Sequence, residues 1–403
     1  MVMRISKKIM VLLVLIIVAV SQAQNGSIVT WGDNWYGQCD VPEPNEGFVA
    51  IAAGAGHSLG LKEDGSIQAW GHNYAGQCNI PEPNEGFVAI ASGDSHSLGI
   101  KEDGSIIAWG FNYYGQCNVP EPNENFVLVG AGLDYSLGLK QDGSIIVWGS
   151  NYWGQCDVPE PNEDFVSAGA GGAHIVGLKS DSSIVAWGYN QFGGCNVPEP
   201  NGDFVFVAAG EAHSLGIKED GSIVAWGWNE YGQCNVPEPN CDFVYIGHGY
   251  RHTLSLKADG SIVTWGYNGQ GQCDVPGLNE GFVAVAGGVY HSLGLKGTNV
   301  AIEDMVSVVS QESLAISNIS PNPFNTYTTV SILSPGLTSL HMEIFDLSGR
   351  LIHRQEIPAA AQGSHALTWD GSCLTGESLS NGMYIIQLVS GFEIASAKVM
   401  LVR

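Results

Sequence analysis

Three features of the sequence point to an all-β chain, a seven-bladed β-propeller followed by a small immunoglobulin-like β-sandwich. A Trp-Gly pair returns at Trp31, Trp70, Trp109, Trp148, Trp187, Trp226 and Trp265, each step being 39 residues with no insertion or deletion. Such a period is the mark of a repeat architecture. Within every period short apolar runs alternate with turn sequences, and Gly reaches 54 of 403 residues, far above ordinary usage. After Gly297 the period stops, and short runs of alternating apolar and polar residues continue between turns, as in a small sandwich.

In chain order, Arg4, Lys7 and Lys8 precede an apolar run from Ile9 to Val20, and Ser21-Gln22-Ala23 supplies small residues before a cleavage point. Residues 1–23 are therefore expected to be a secretory signal peptide, too short for a comfortable membrane span. No Cys follows the run, so a lipoprotein anchor is not expected, and no other stretch has the length and apolarity of a transmembrane segment. Residues 24–297 form the repeats, 298–317 read as a linker, and 318–403 as the C-terminal domain.

Each repeat reads as four strands, exemplified by Ser66–Trp70, Gly76–Ile80, Phe87–Ala91 and His96–Lys101. Between the fourth strand of one repeat and the first of the next stands Asp-Gly, as in Lys62-Glu-Asp-Gly-Ser66, the signal of a tight hairpin turn. Pro-Glu-Pro-Asn-Glu, at Pro42, Pro81 and Pro120 onward, is a loop, because Pro donates no ladder hydrogen bond. The first and last repeats look like the middle ones, which fits a closed ring better than a capped solenoid. Ser27–Val41 and Phe282–Lys296 are each half of one blade, and their pairing is expected to shut the ring.

The net charge of -25 comes from 40 acidic and 15 basic residues. The repeats hold one Lys each, from Lys62 to Lys296, plus Arg251, too thin a spread to neutralise a phosphate backbone. No nucleic-acid partner is expected, and anionic membrane is a poor one. Cys39, Cys78, Cys117, Cys156, Cys195, Cys234 and Cys273 repeat with the blades, and rotation keeps equivalent positions beyond disulfide reach; they read as small buried residues. Cys241 lies near enough to Cys234 for a bridge, and that alternative stays open. His57, His96, His174, His213, His252 and His291, with Tyr135 in the remaining repeat, are spread around a circle and so cannot converge on one ion; a packing and hydrogen-bonding role is expected. No cofactor or metal site is expected.

Alternate strand connections fall on the same face. The Asp-Gly turns and Pro-Glu-Pro-Asn loops share an acidic, nearly invariant face that reads as solvated. The opposite face carries the linkers Trp-Gly-x-Asn-x-x-Gly-Gln and Gly-x-x-His, where the repeats differ. The first linker supplies Trp35, Tyr36, Tyr74, Phe111, Tyr113, Tyr114, Tyr152, Trp153, Tyr189, Phe192, Trp228, Tyr231 and Tyr267; the second supplies Asp94, Asp134, Glu211, Tyr250, Arg251 and Tyr290. Aromatic rings with scattered carboxylates suit protein hot spots or stacked sugars, and these aromatics with Arg251 are the candidate ligand-binding residues. The competing reading is that the rings pack between blades and expose an edge. Arg251, beside Tyr250 and near Glu211, Trp228, Glu230, His248 and Tyr290 in repeat order, is either a local salt bridge or a ligand anchor. No nucleophile–base pair is visible there, so no catalytic residue is assigned.

On Trp-Gly-x-Asn-x-x-Gly-Gln followed by Ala-Gly-x-x-His-Ser-Leu-x-Leu-Lys-x-Asp-Gly, from Gly26 to about Lys296, the chain resembles the regulator-of-chromosome-condensation family. The resemblance implies a seven-bladed propeller. Eukaryotic members include a nuclear guanine-nucleotide exchange factor; the leader and the scarcity of basic residues here argue against that activity. The Gly-Gln-Cys-Asn-Val-Pro variant is similar to bacterial members, among them secreted propellers that inhibit β-lactamases through an aromatic face. Ile319-Ser-Pro-Asn-Pro-Phe-Asn325, Met342–Arg350, Leu367–Gly371, Ser380–Tyr384 and Lys398–Arg403 resemble the C-terminal sorting domain of type IX secretion, related to the flagellar-hook-capping immunoglobulin-like module, which implies contact with a secretion machinery.

The expected function is that of a secreted or surface-held, non-catalytic, monomeric binding protein for a protein or glycan. The alternative is an inhibitor of an extracellular enzyme. A propeller lyase, resting on His248 or Glu211, and an exchange factor for a small GTPase rank below both.

Overall fold

The computed structural model describes residues 26–297 and, in the C-terminal part, residues 315–320, 327–334, 340–345, 351–357, 363–370, 372, 379, 382–390 and 393–402. The expected signal peptide lies outside the described residues, as does most of the expected linker. The described elements are all β-strands, and among the described residues no helix is long and apolar enough to cross a membrane. Two compact units divide at residues 299 and 300.

The first unit is a ring of seven three-stranded sheets. In one blade Phe48–Ala53 pairs with His57–Lys62, which pairs with Ile67–Gly71 across the Asp-Gly turn. The expected pairing across consecutive repeats is therefore present. Closure is also as expected: Ser27–Gly32 from the start of the ring pairs with His291–Lys296 from its end, with Trp31 opposite Ser292, and Phe282–Gly287 completes that sheet.

The expected second strand of the repeat, Gly76–Ile80, is a correction: it is turn and irregular structure. A Pro follows it directly, and side chains take over the bonding that a ladder would supply. Asn84, from the Pro-Glu-Pro-Asn loop, accepts from Ile67 N (2.8 Å) and donates to Ile67 O (2.9 Å). Its amide thus satisfies the sheet edge as another strand would. Equivalent clamps join Asn45 to Ile28, Asn123 to Ile106 and Asn162 to Ile145.

Blades are joined by a belt of buried hydrogen bonds. The Gln38 carbonyl accepts from the Trp70 indole at 2.9 Å and from Ser58 Oγ at 2.9 Å, both in the next blade. Ser58 Oγ in turn meets His291 Nε2 at 3.1 Å. The same contacts run around the ring as His57–Ser97, His96–Ser136, His174–Ser214, His213–Thr253 and His252–Ser292. A carbonyl can only accept, so each hydroxyl spends its proton there and the imidazole must donate from Nε2. Gly54 is invariant because a Cβ would lie 2.2 Å from His57 Cε1 and 2.5 Å from Gly93 O of the following blade.

Tyr135 interrupts the series, and its neighbour changes with it. The residue equivalent to the accepting serine is Ile175, fully buried. Tyr135 OH bypasses it and donates to the carbonyls of Gly171 (2.9 Å) and His174 (2.8 Å). Tyr135 with Ile175 therefore replaces His with Ser as a matched pair.

The repeat cysteines are half-buried free thiols. Cys39 Sγ donates to Asp33 O at 3.3 Å, and burial pushes its pKa up to about 11. Cys234 and Cys241 are unbridged.

In the second unit, Ala315–Ser320, Thr328–Ser334 and Gly363–Trp369 form one sheet, and Leu351–Ile357, Leu340–Phe345, Gly382–Ser390 and Glu393–Leu401 a second. Val330, Ile344, Trp369 and Tyr384 belong to their common core. The first strand begins at Ala315, inside the expected linker, because Ala315 and Ile316 pair with Leu333 and Ile332.

Two outcomes follow from the belt. In a double-mutant cycle, Tyr135→His and Ile175→Ser are expected to couple favourably by about 1–2 kcal/mol in urea unfolding, since each alone leaves a buried polar group or a lost contact; zero coupling contradicts the pairing. Burial depresses His57, His213 and His252 to about 3 and His96, His174 and His291 to about 4. The folded ring thus favours neutral imidazoles, while the unfolded chain protonates near its usual value of about 6.5. Their contribution to stability is complete above about pH 6.5 and is lost as pH falls toward 4 and 3. Urea midpoints are expected to be flat from about pH 7 to 8 and to fall steeply between about pH 6 and 4; a constant midpoint down to about pH 4.5 contradicts this assignment.

Candidate binding face

Each variable linker is held open by the invariant residues around it. After Trp70, Gly71 adopts φ +96°, and a Cβ there would lie 2.7 Å from Gly56 O. Asn73 O accepts from Gly76 N at 3.3 Å, closing a tight turn, while Asn73 Oδ1 accepts from Cys78 N at 2.9 Å. Gln77 Oε1 accepts from Ala75 N at 2.9 Å. Three positions are left for side chains that vary between repeats, the first, third and fourth after Trp-Gly; at the first, Asp33 and His72 also accept from the repeat Gln at 2.7 and 2.9 Å.

Their exposure follows their place in the turn. The third position is at the tip, and Trp35, Tyr74, Tyr113 and Tyr152 are 80–95 % exposed. The first position abuts the second linker of its own blade, so Phe111, Tyr189, Trp228 and Tyr267 are half-buried. The fourth is intermediate: Tyr36, Tyr114, Trp153 and Phe192 are about half exposed, and Tyr231 is less so.

A fourth-position ring of one blade meets the first-position ring of the next. Trp153 lies 4.7 Å from Tyr189, Phe192 5.6 Å from Trp228, and Tyr231 5.1 Å from Tyr267, centroid to centroid. With the contacts inside each linker this gives one continuous arc, Tyr152–Trp153–Tyr189–Phe192–Trp228–Tyr231–Tyr267–Tyr290. Ala75 and Ser150 occupy these positions elsewhere and offer no ring. Of the other ring candidates, Phe111 with Tyr113 and Tyr114 form one local group and Tyr36 with Tyr74 a second, while Trp35 projects from its turn at 83% exposure. His72, not among the sequence candidates, stands 4.5 Å from Tyr36 and stacks on Tyr74 at 6.4 Å. Its first-position register was the signal that could have found it.

Inside the arc lies the mouth of the central channel. Tyr250 reaches across the axis and donates to Asp94 Oδ1 at 3.2 Å; these residues belong to blades on opposite sides of the ring. Burial and the charges of Asp94, Glu211 and Asp134 hold its phenol well above the usual range. Arg251 Nε donates to Glu211 Oε2 at 3.2 Å, and the guanidinium sits 5.3 Å from the Trp228 ring and 5.4 Å from Tyr231. Arg251 therefore makes the local salt bridge. Below the mouth is a cavity of about 240 Å³ lined by small residues such as Ala53, Gly130, Ala170 and Ala208, with His248. Burial lowers His248 to about 4, and Glu211 is engaged by Arg251. Among the described residues no group of three or more His, Cys, Asp or Glu is placed to hold a metal ion.

The opposite face differs in chemistry. Lys62 donates to Pro44 O at 3.0 Å and to Glu46 O, and lies 4.0 Å from the Phe48 centroid. The six other repeat lysines are caged over their Phe rings in the same way.

A family model described as the regulator of chromosome condensation (RCC1) repeat matches residues 48–77, 87–116, 204–233 and 244–272. One described as the FlgD Ig-like domain matches residues 325–391. A comparison with curated protein sequences finds no match. Among solved structures, Prp20p from Saccharomyces cerevisiae is similar with a TM-score of 0.59 and 19% identity, over 72% of this chain and 95% of that one. Human WBSCR16 gives 0.55 and 16%, over 69% and 100%. The ectodomain of the Physcomitrella patens receptor kinase CR4 gives 0.53 and 22%, over 62% and 70%. At these identities the likeness is one of fold. The 39-residue repeats and the closed ring make the first unit a seven-bladed propeller, with repeats similar to the regulator of chromosome condensation repeat, and the second unit is similar to the FlgD Ig-like domain.

Proposed function

We propose that the propeller is a non-catalytic binding module, exported from the cell, which recognises a protein or glycan through the linker face. The observation that carries this reading is the continuous arc from Tyr152 to Tyr290: eight rings, none required by the blade scaffold, gathered on one face. Aromatic residues and Arg dominate binding hot spots because they bury large, rigid surfaces at small entropic cost. Residues that only closed the gaps between blades would recur in every repeat, as Trp31 and its equivalents do.

Protein binding by a propeller of this type has a counterpart in Prp20p, whose structure was described with its binding to Gsp1p and histones. Export is supported by the basic and apolar leader of residues 1–23, and by the resemblance of residues 318–403 to a sorting domain of type IX secretion. Inhibition of an extracellular enzyme is the narrower form of the same reading, since an inhibitor needs a rigid face and no chemistry of its own.

The test is binding by the full chain on a glycan array and to a panel of secreted hydrolases, with Trp153→Ala, Trp228→Ala and Tyr250→Ala compared. Each of these substitutions, two in the arc and one at the mouth it surrounds, is expected to weaken any ligand found by about tenfold or more, corresponding to ~1.4 kcal/mol or above. Undiminished binding by all three variants contradicts the site.

A further inference from the structure

The linker face is not neutral, and its charge selects among possible partners. The two linkers of the seven blades carry five carboxylates, Asp33, Asp94, Asp134, Glu211 and Glu230, against one cation, Arg251. That cation is already committed to Glu211. The lysines of the repeats stand on the other face, each over its Phe ring. Nothing on the linkers therefore offsets the remaining carboxylates except neutral donors. Tyr250 OH and Ser95 Oγ donate to Asp94 at 3.2 and 3.1 Å, and Asp134 receives a long bond of 3.4 Å from Gln116 Nε2. Burial and the neighbouring Asp94 charge raise the Asp134 pKa, the behaviour of a like-charge pair that lacks a counter-ion.

The aromatic arc adds to the same field. Ring faces carry negative potential and attract cations, and the chain contains its own example of the resulting contact. Arg251 lies against Trp228 and Tyr231 while its Nε reaches Glu211. The arc is less suited to a row of stacked sugars. Successive rings from Trp228 through Tyr231 to Tyr267 are turned 81° and 75° to one another, so open flat faces do not line up.

We infer that the partner of this face is a protein whose docking loop presents lysine or arginine, the cation seated at the axial mouth between Asp94, Asp134 and Glu211 while flanking apolar side chains pack on the arc. This rests on the binding role of the arc and narrows it to one class of partner. Charge complementarity of this kind raises association rates and excludes acidic competitors.

The probe is a phage-displayed library of disulfide-constrained random peptides panned against the immobilised full chain, with unfolding midpoints recorded for every variant. Enriched peptides are expected to share a Lys or Arg, to bind at least tenfold more weakly to the Asp94→Asn/Asp134→Asn chain, and to weaken as salt rises from about 50 to 300 mM. Peptides without a cation, binders indifferent to the double substitution, binding confined to glycans, or no enriched binder each overturn the inference. Trp228→Ala separates the two levels. Cation-free peptides lost in that variant leave the aromatic binding face standing and remove only the cationic partner; peptides indifferent to both sets of changes remove both.

Discussion

The structure depends on one shared acceptor in each joint between blades. Where Gln38 O takes both the Trp70 indole and the Ser58 hydroxyl, the segment after one Trp-Gly pair is tied to the next blade, and the serine passes the connection on to His291. Each group is buried, so each bond is enforced less by its own strength than by the cost of leaving a polar atom unpaired. Repetition of that joint explains why Trp, Gly, Ser and His recur with so little variation. It also explains the exception, since Tyr135 and Ile175 depart together and leave no hydroxyl stranded.

With the joints assigned to invariant residues, the linkers are free to vary. Asn and Gln side chains close each linker turn on its own backbone, so the third and fourth positions bear no structural duty beyond fitting their neighbours, while the first accepts from the repeat Gln where it is Asp33 or His72. The rings of the arc meet across blades and form a stiff surface. A surface ordered in advance loses little entropy on binding. The acidic face has the opposite design: its lysines are spent on loop carbonyls and Phe rings, and its Asp-Gly turns cap themselves through Ser hydroxyls. Chemistry that differs between blades is thus concentrated on the linker side.

Much of this was legible in the sequence. The period located the blades, the Asp-Gly turns gave the strand pairing, and the half-blades at Ser27 and Phe282 gave the closure. The absence of the second strand was not legible, because Gly76–Ile80 has strand-like composition and only the geometry shows Asn84 occupying the bonding edge of Ile67. Nor was the exposure of individual rings. Whether Trp153 is covered depends on Tyr189 in the following blade, a relation set by the rotation between blades and not by either repeat alone. The same holds for Tyr250, whose partner Asp94 is 156 residues away.

The central claim is that the joints and the shared blade make the ring a single cooperative unit. Native-state hydrogen exchange tests it most directly, because an open array of repeats frays from its ends. In a closed ring the ladder amides of Ser27–Gly32 and His291–Lys296 open with the same free energy as those of the middle blade between Phe165 and Gly188. Terminal amides exchanging at a markedly lower free energy than the middle ones would contradict the account.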